Sequence, residues 1–146
     1  MEFKITLTPA SRLMLGNLHK QFRKSFVQGL KLAMMFAESK AKKSFGDEGK
    51  PGVKTGHLRR TVKSGVKVTS DNAIGWLSAD TKYAAIHEFG GIIRPVSAPS
   101  LKFKIDGQWI SAKQVVMPER PYLRPAIEDN LDRIEDIIRE TIINRI

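Results

Sequence analysis

The residues of this chain best suited to moving protons or holding a metal are three histidines, His19, His57 and His87, together with Glu88 beside the last of them. A zinc-protease helix needs a second His four residues after the first; from His87 that position is Gly91, so "HEFGG" is not that motif. His19 and His57 read as surface or packing residues, and His87, with no legible acid–base partner set, reads as structural. The glycines around Gly49-Lys50 invite a phosphate loop. That motif requires Gly where Ser44 stands and Ser or Thr where Pro51 stands, so it fails. There is no G-x-S-x-G elbow, and the carboxylates Glu128, Asp129, Asp132 and Glu135 are spaced as a solvated helix face rather than a converging pair. The expectation is a protein with no catalytic residue, no metal site and no cofactor.

Composition narrows the class. The 146 residues carry 41% hydrophobic and 27% charged side chains, the balance of one ordinary globular domain. No cysteine is present, which excludes a disulfide framework, thiolate zinc ligands and a Cys nucleophile, and fits synthesis in a reducing cytosol. Neither a secretory leader nor a membrane-length apolar run is legible. The net charge of +10 is uneven: residues 1–70 hold fifteen Lys or Arg against four acids, and residues 71–146 ten against eleven. A basic half of this kind suits a polyanionic partner, either nucleic acid or an acidic protein surface. Lys40, Lys42, Lys43, Arg59 and Arg60 are its candidate patch; the bland reading is the wet side of an amphipathic helix.

The elements that must position these residues follow from periodicity. "FKITLT" alternates as a short strand, and Thr8-Pro9 reads as the cap and first turn of a long helix. In that helix Leu18, Phe22, Phe26, Leu30, Ala33, Ala37, Ala41 and Phe45 form one apolar face up to Gly46, with a bend or break expected near Gly16 or Gly29. Residues 46–56 read as a flexible loop. "HLRRTV" supplies one helical turn, "GVKVTS" and "AIGWLSA" a hairpin around residues 70–72, and "KYAAIHEF" a short helix stopped by Gly90-Gly91. Within residues 92–118, an Asp106-Gly107 type I′ turn pairs Ile105 with Gln108, Lys104 with Trp109 and Phe103 with Ile110. That register places Leu101, Phe103, Ile105 and Ile110 on one face, and Lys102, Lys104, Trp109 and Ser111 on the other. Such a hairpin is expected to project, to be mobile alone and to order against a neighbour. From Pro125 a last helix is expected to run to the end of the chain or nearly so. The fold class is α+β: long N-terminal and C-terminal helices on a small, mostly antiparallel sheet, with a projecting hairpin.

Four segments come in a telling order: "TGHLRRT" at 55–61, "YAAIHEFGG" at 83–91, "IRP" at 93–95 and "RPYLRPAI" at 120–127. Over about residues 50–130 this resembles the virion morphogenesis or tail-completion family of tailed bacteriophages, Mu-like prophages and lambdoid minor tail components. A Phe is common in that family where Tyr122 stands. The resemblance implies a structural virion protein, made in the bacterial host cytoplasm and acting at the head–tail joint. Its implied partners are other head–tail or tail proteins and further copies of itself in a ring in the virion, with the isolated chain either monomeric or oligomeric, DNA contact open and no membrane. The assembly candidates are then His87, Glu88, Phe89, Gly90, Gly91, Trp109, Arg120, Pro121, Tyr122, Arg124 and Pro125. Tyr83, Ile86, His87 and Phe89 would pack the short helix on the sheet, and the two prolines would stiffen the elbow that aims the last helix.

Overall fold

Steps of three and four between apolar residues place one stripe of a helix against a core, and the long helix α1 (Lys20–Lys43) does this with Leu30, Ala33, Met34, Ala37 and Ala41, all buried. The computed structural model describes residues 1–5, 20–70 and 72–145. The expected helix start, with Thr8, Pro9, Arg12, Gly16, Leu18 and His19, lies outside them, as does Asp71. α1 runs unbroken through Gly29. A Cβ there would stand 3.0 Å from the Ile138 Cα, so the missing side chain is what lets the terminal helix α5 (Leu131–Ile143) approach. On its other side α1 packs on the sheet.

That sheet has three antiparallel strands in the order β1–β3–β2: β1 (Glu2–Ile5), β2 (Val62–Val68) and β3 (Ala73–Ala79). The β2–β3 register runs from Val62 opposite Ala79 to Val68 opposite Ala73. The alternating burial of β3 puts Ala73, Leu77 and Ala79 in the core. The single turn α2 (His57–Thr61) leads into β2 as expected. On the outer edge of β2 the Ser64 N–H would be unpaired; instead Glu38 of α1 accepts it at 2.8 Å and the Ser64 hydroxyl at 2.8 Å. Lys42 Nζ donates to the same carboxylate at 2.5 Å. Partial burial pushes Glu38 upward, but the bonds from Lys42 and Ser64 outweigh it and hold the carboxyl below its ordinary value.

One expectation changes in the structure. The last helix is not continuous from Pro125: α4 (Arg124–Glu128) stops and α5 starts afresh at Leu131. Asn130 marks the joint, its side-chain amide donating to the Ala126 carbonyl at 3.2 Å. Residues 46–56 form a run of turns in which Gly46 N–H donates to Pro51 O at 3.0 Å and Pro51 is buried. Lys50 Nζ ties that run to the Pro121 carbonyl at 2.8 Å. The α+β class and the two long flanking helices are as expected.

Residues 91–117 form an arm. Its root is a two-stranded ladder, β4 (Gly91–Ile93) against β7 (Val115–Met117), and its tip a separate one, β5 (Leu101–Ile105) against β6 (Gln108–Ala112). The tip register is the one the turn arithmetic gives, with Lys104 opposite Trp109 and Phe103 opposite Ile110. Asp106 and Gly107 both have positive φ, 50° and 84°, as a type I′ turn requires. Neither ladder joins the main sheet.

Candidate functional site

The two ends of the arm meet at a short helix, α3 (Ala84–Phe89). Residues four apart share a helix face, and in α3 the inward pair is Ala84 and Glu88, both fully buried. A buried carboxylate demands donors, and the elbow supplies them. Glu88 accepts the backbone N–H groups of Tyr122 at 2.8 Å, Leu123 at 3.0 Å and Arg124 at 2.9 Å. The carbonyl of His87 accepts the N–H of Arg120 at 2.7 Å. Pro121 and Pro125 have no N–H, so every backbone donor from residue 120 to 125 is held by two consecutive residues of α3. Three of those donors belong to the entry of α4, where a helix has N–H groups without intrahelical partners. The carboxylate therefore caps α4 from a distant part of the chain.

Gly90 completes the joint. Its φ of 66° and ψ of −172° lie in a region essentially reserved for glycine. A Cβ at this position would sit 2.7 Å from Glu119 N and 2.9 Å from Met117 O, both backbone atoms of the returning chain. The exit of α3 and the return of the arm thus pass each other at a separation that no side chain tolerates. Below them Tyr122 and Leu123 are buried, and the Tyr122 ring meets Phe45 edge-on at 4.9 Å. Burial, then the Glu88 charge and Tyr83, push the Tyr122 phenol well above its ordinary range.

His87 is half-buried, its ring edge-on to Tyr83 at 6.0 Å. Desolvation, reinforced by the Arg120 guanidinium, lowers its pKa from the ordinary histidine value. Protonation is then easier in the unfolded chain than in the folded one, so stability is full above the unfolded pKa of about 6.5 and declines as pH falls below it toward the folded value. Thermal melts at pH 7.5 and 5.5 are expected to show this loss, and His87→Gln to reduce it. An unchanged pH dependence in His87→Gln would show that other groups carry it.

The structure sorts the candidate residues into inward and outward sets. Glu88 and Tyr122 face the core, and Arg120, Pro121, Arg124 and Pro125 are half-buried in the elbow. Arg124 also extends toward Glu119 at 3.9 Å. Contrary to expectation, Tyr83 and Phe89 do not pack α3 on the sheet; both are exposed, Phe89 by 53%. Ala84 and Glu88 take that inward role. Once Ala84 is known to face inward, a carboxylate one turn later on the same face must meet donors. Gly91, at the arm's root, is exposed, and at the tip Trp109 is 71% exposed, with Lys104 Nζ 5.1 Å above its ring. The basic candidates divide: Lys42, Lys43 and Arg59 line one open cleft of about 610 Å³ with Met35, Glu38 and Ser39. Lys40 lies instead over the Phe36 ring at 5.4 Å, and Arg60 borders a different cleft with Lys63. Of the histidines, His57 is exposed on α2. Among the described residues no helix is long and apolar enough to cross a membrane.

Comparison with known proteins gives one family. The model of the phage virion morphogenesis family matches residues 34–142, a span that includes α1 from Met34, the clamp, the arm and nearly all of α5. No curated protein and no solved structure matches the chain significantly.

Proposed function

Because the chain belongs to the phage virion morphogenesis family, we propose that it acts as a structural component in tail completion at the head–tail joint, as one subunit of a ring-forming adaptor. The observation that carries this reading is the arm. Residues 91–117 leave Ile92, Ile105, Trp109 and Val116 exposed on two ladders outside the main sheet, while both of their ends are fixed by the Glu88 clamp. A two-stranded ribbon gains little stability alone in water and gains it when a neighbour covers its apolar side chains. A rigid root and an uncovered tip suit a subunit that reaches onto another protein. The role is mechanical and uses no catalytic residue.

The direct test is a phage or prophage carrying a deletion of this chain, examined by electron microscopy. Heads and tails that accumulate unjoined, with joining restored by the wild-type chain, are expected; normally joined, infectious particles would overturn the proposal. The second reading, a basic accessory protein that binds nucleic acid, is favoured by the cleft that gathers Lys42, Lys43 and Arg59. Retention on duplex DNA that falls steeply with salt, and is lost when these three residues become Ala, would support it.

A further inference from the structure

The arm tip and the start of α5 carry opposite charges around exposed apolar side chains. On one face of the tip, Trp109 lies opposite Lys104 and diagonal to Lys102, which pairs with Ser111. The whole arm holds Arg94, Lys102, Lys104 and Lys113 against the single acid Asp106. On α5 Leu131 is 46% exposed, and Asp132 and Glu135 lie within one turn of it, with Glu128 and Asp129 just before it. The helix's own arginines are already engaged, Arg133 with Glu140 and Arg139 with Asp136. Glu128, Asp129, Asp132 and Glu135 have no ion-pair partner among the described residues.

From this complementarity we infer that the Trp109 face of one copy's arm docks on the Leu131–Asp132–Glu135 face of α5 in the next copy. The inference rests on the ring reading above and specifies the contact that would build it. Within one chain the two patches leave each other uncovered, Trp109 and Leu131 both being open to solvent. A second copy is therefore the occupant that brings them together. Joining a patch to a different patch is a head-to-tail contact, which repeats from subunit to subunit and closes when the rotation permits. An exposed Trp set among cations, meeting a Leu set among anions, is the arrangement of an interface anchor with a charged rim. The acids at the start of α5 also suit the helix dipole; the lysines around Trp109 have no such local explanation beyond one cation–π contact.

The test uses the full chain in sedimentation velocity over a dilution series. Wild type is expected to self-associate, more weakly at high salt because the rim charges are screened. The arm variant Lys102→Glu/Lys104→Glu and the helix variant Asp132→Lys/Glu135→Lys are each expected to lose self-association by about a hundred-fold. Mixed one to one, they are expected to assemble again, since each reversed patch finds its complement on the other chain. Trp109→Ala is expected to weaken assembly by about thirty-fold or more. Circular dichroism of each variant separates lost assembly from lost fold, and recovery in the mixture requires both chains to be folded. A mixture that stays monomeric while wild type assembles overturns the inference. So does a wild type that stays monomeric at high concentration and low salt, a result that leaves the virion role to the particle experiment. Arm variants that keep assembling but lose retention on duplex DNA would assign the arm to nucleic acid instead.

Discussion

Glu88→Ala is expected to lower stability by about 4 kcal/mol, or roughly 12 °C in Tm for a domain of this size, measured by urea and thermal unfolding. The substitution leaves Tyr122, Leu123 and Arg124 with N–H groups pointing into the space of a vanished carboxylate. An unsatisfied buried donor costs about 1–3 kcal/mol, and three lie side by side, although some would recover water through the cavity. Glu88→Gln should cost less, about 2 kcal/mol, because its carboxamide oxygen replaces one acceptor oxygen while its NH₂ faces a remaining donor. The order Ala worse than Gln is the signature of a clamp. An equal and small effect in both would mean that the elbow is held by its prolines and by packing alone. Glu128→Ala, an exposed carboxylate in the same region, is the control and should change little.

The second large effect is expected at Gly90. Gly90→Ala combines a backbone conformation that costs about 1–3 kcal/mol for any other residue with a Cβ placed 2.7 Å and 2.9 Å from two backbone atoms. Those atoms, Glu119 N and Met117 O, belong to the chain that enters the elbow, so relief requires moving the arm's root. A loss of about 4 kcal/mol is expected by the same unfolding measurements. Gly107→Ala provides the comparison: its φ is also positive, but its Cβ would meet nothing within 4 Å, so only about 1 kcal/mol is expected. Similar costs at the two positions would show that contact with the returning chain contributes nothing.

Much of this molecule is legible in the chain because its signals are local. The Asp106-Gly107 turn fixes a register by counting, and the apolar stripe of α1 follows from steps of three and four. The division of the last helix is less visible, since Ile127, Leu131 and Ile134 keep helical spacing across Asp129 and Asn130 where the backbone does not. Gly29 was misleading for a related reason: its intrinsic cost to a helix is local, while its benefit lies in Ile138, more than a hundred residues away. Glu88 is the instructive case. Its aromatic and apolar neighbours Tyr83, Ile86 and Phe89 point the sequence reading to another face of α3, and its partners come from residues 122–124 and are set by tertiary structure. The same holds for the basic patch, which the charge balance of the sequence treats as one group and the fold divides between separate surfaces.

The bond from Glu38 to Ser64 bears on how such a chain survives crowding during assembly. A bare edge strand offers a row of donors and acceptors to any extended peptide, including the edge of another copy, and sheets that join this way grow into insoluble aggregates. Here one donor in the middle of β2 is already occupied by a carboxylate, which also places a negative charge and Lys42 beside the path an incoming strand would take. The incoming chain would have to break that bond and expose the carboxylate before its own ladder could form. The bonds from Lys42 and Ser64 also lower the Glu38 pKa, so this charge is harder to remove by acid than that of an ordinary glutamate. Another copy that meets this sheet edge is thereby discouraged from adding a strand to it.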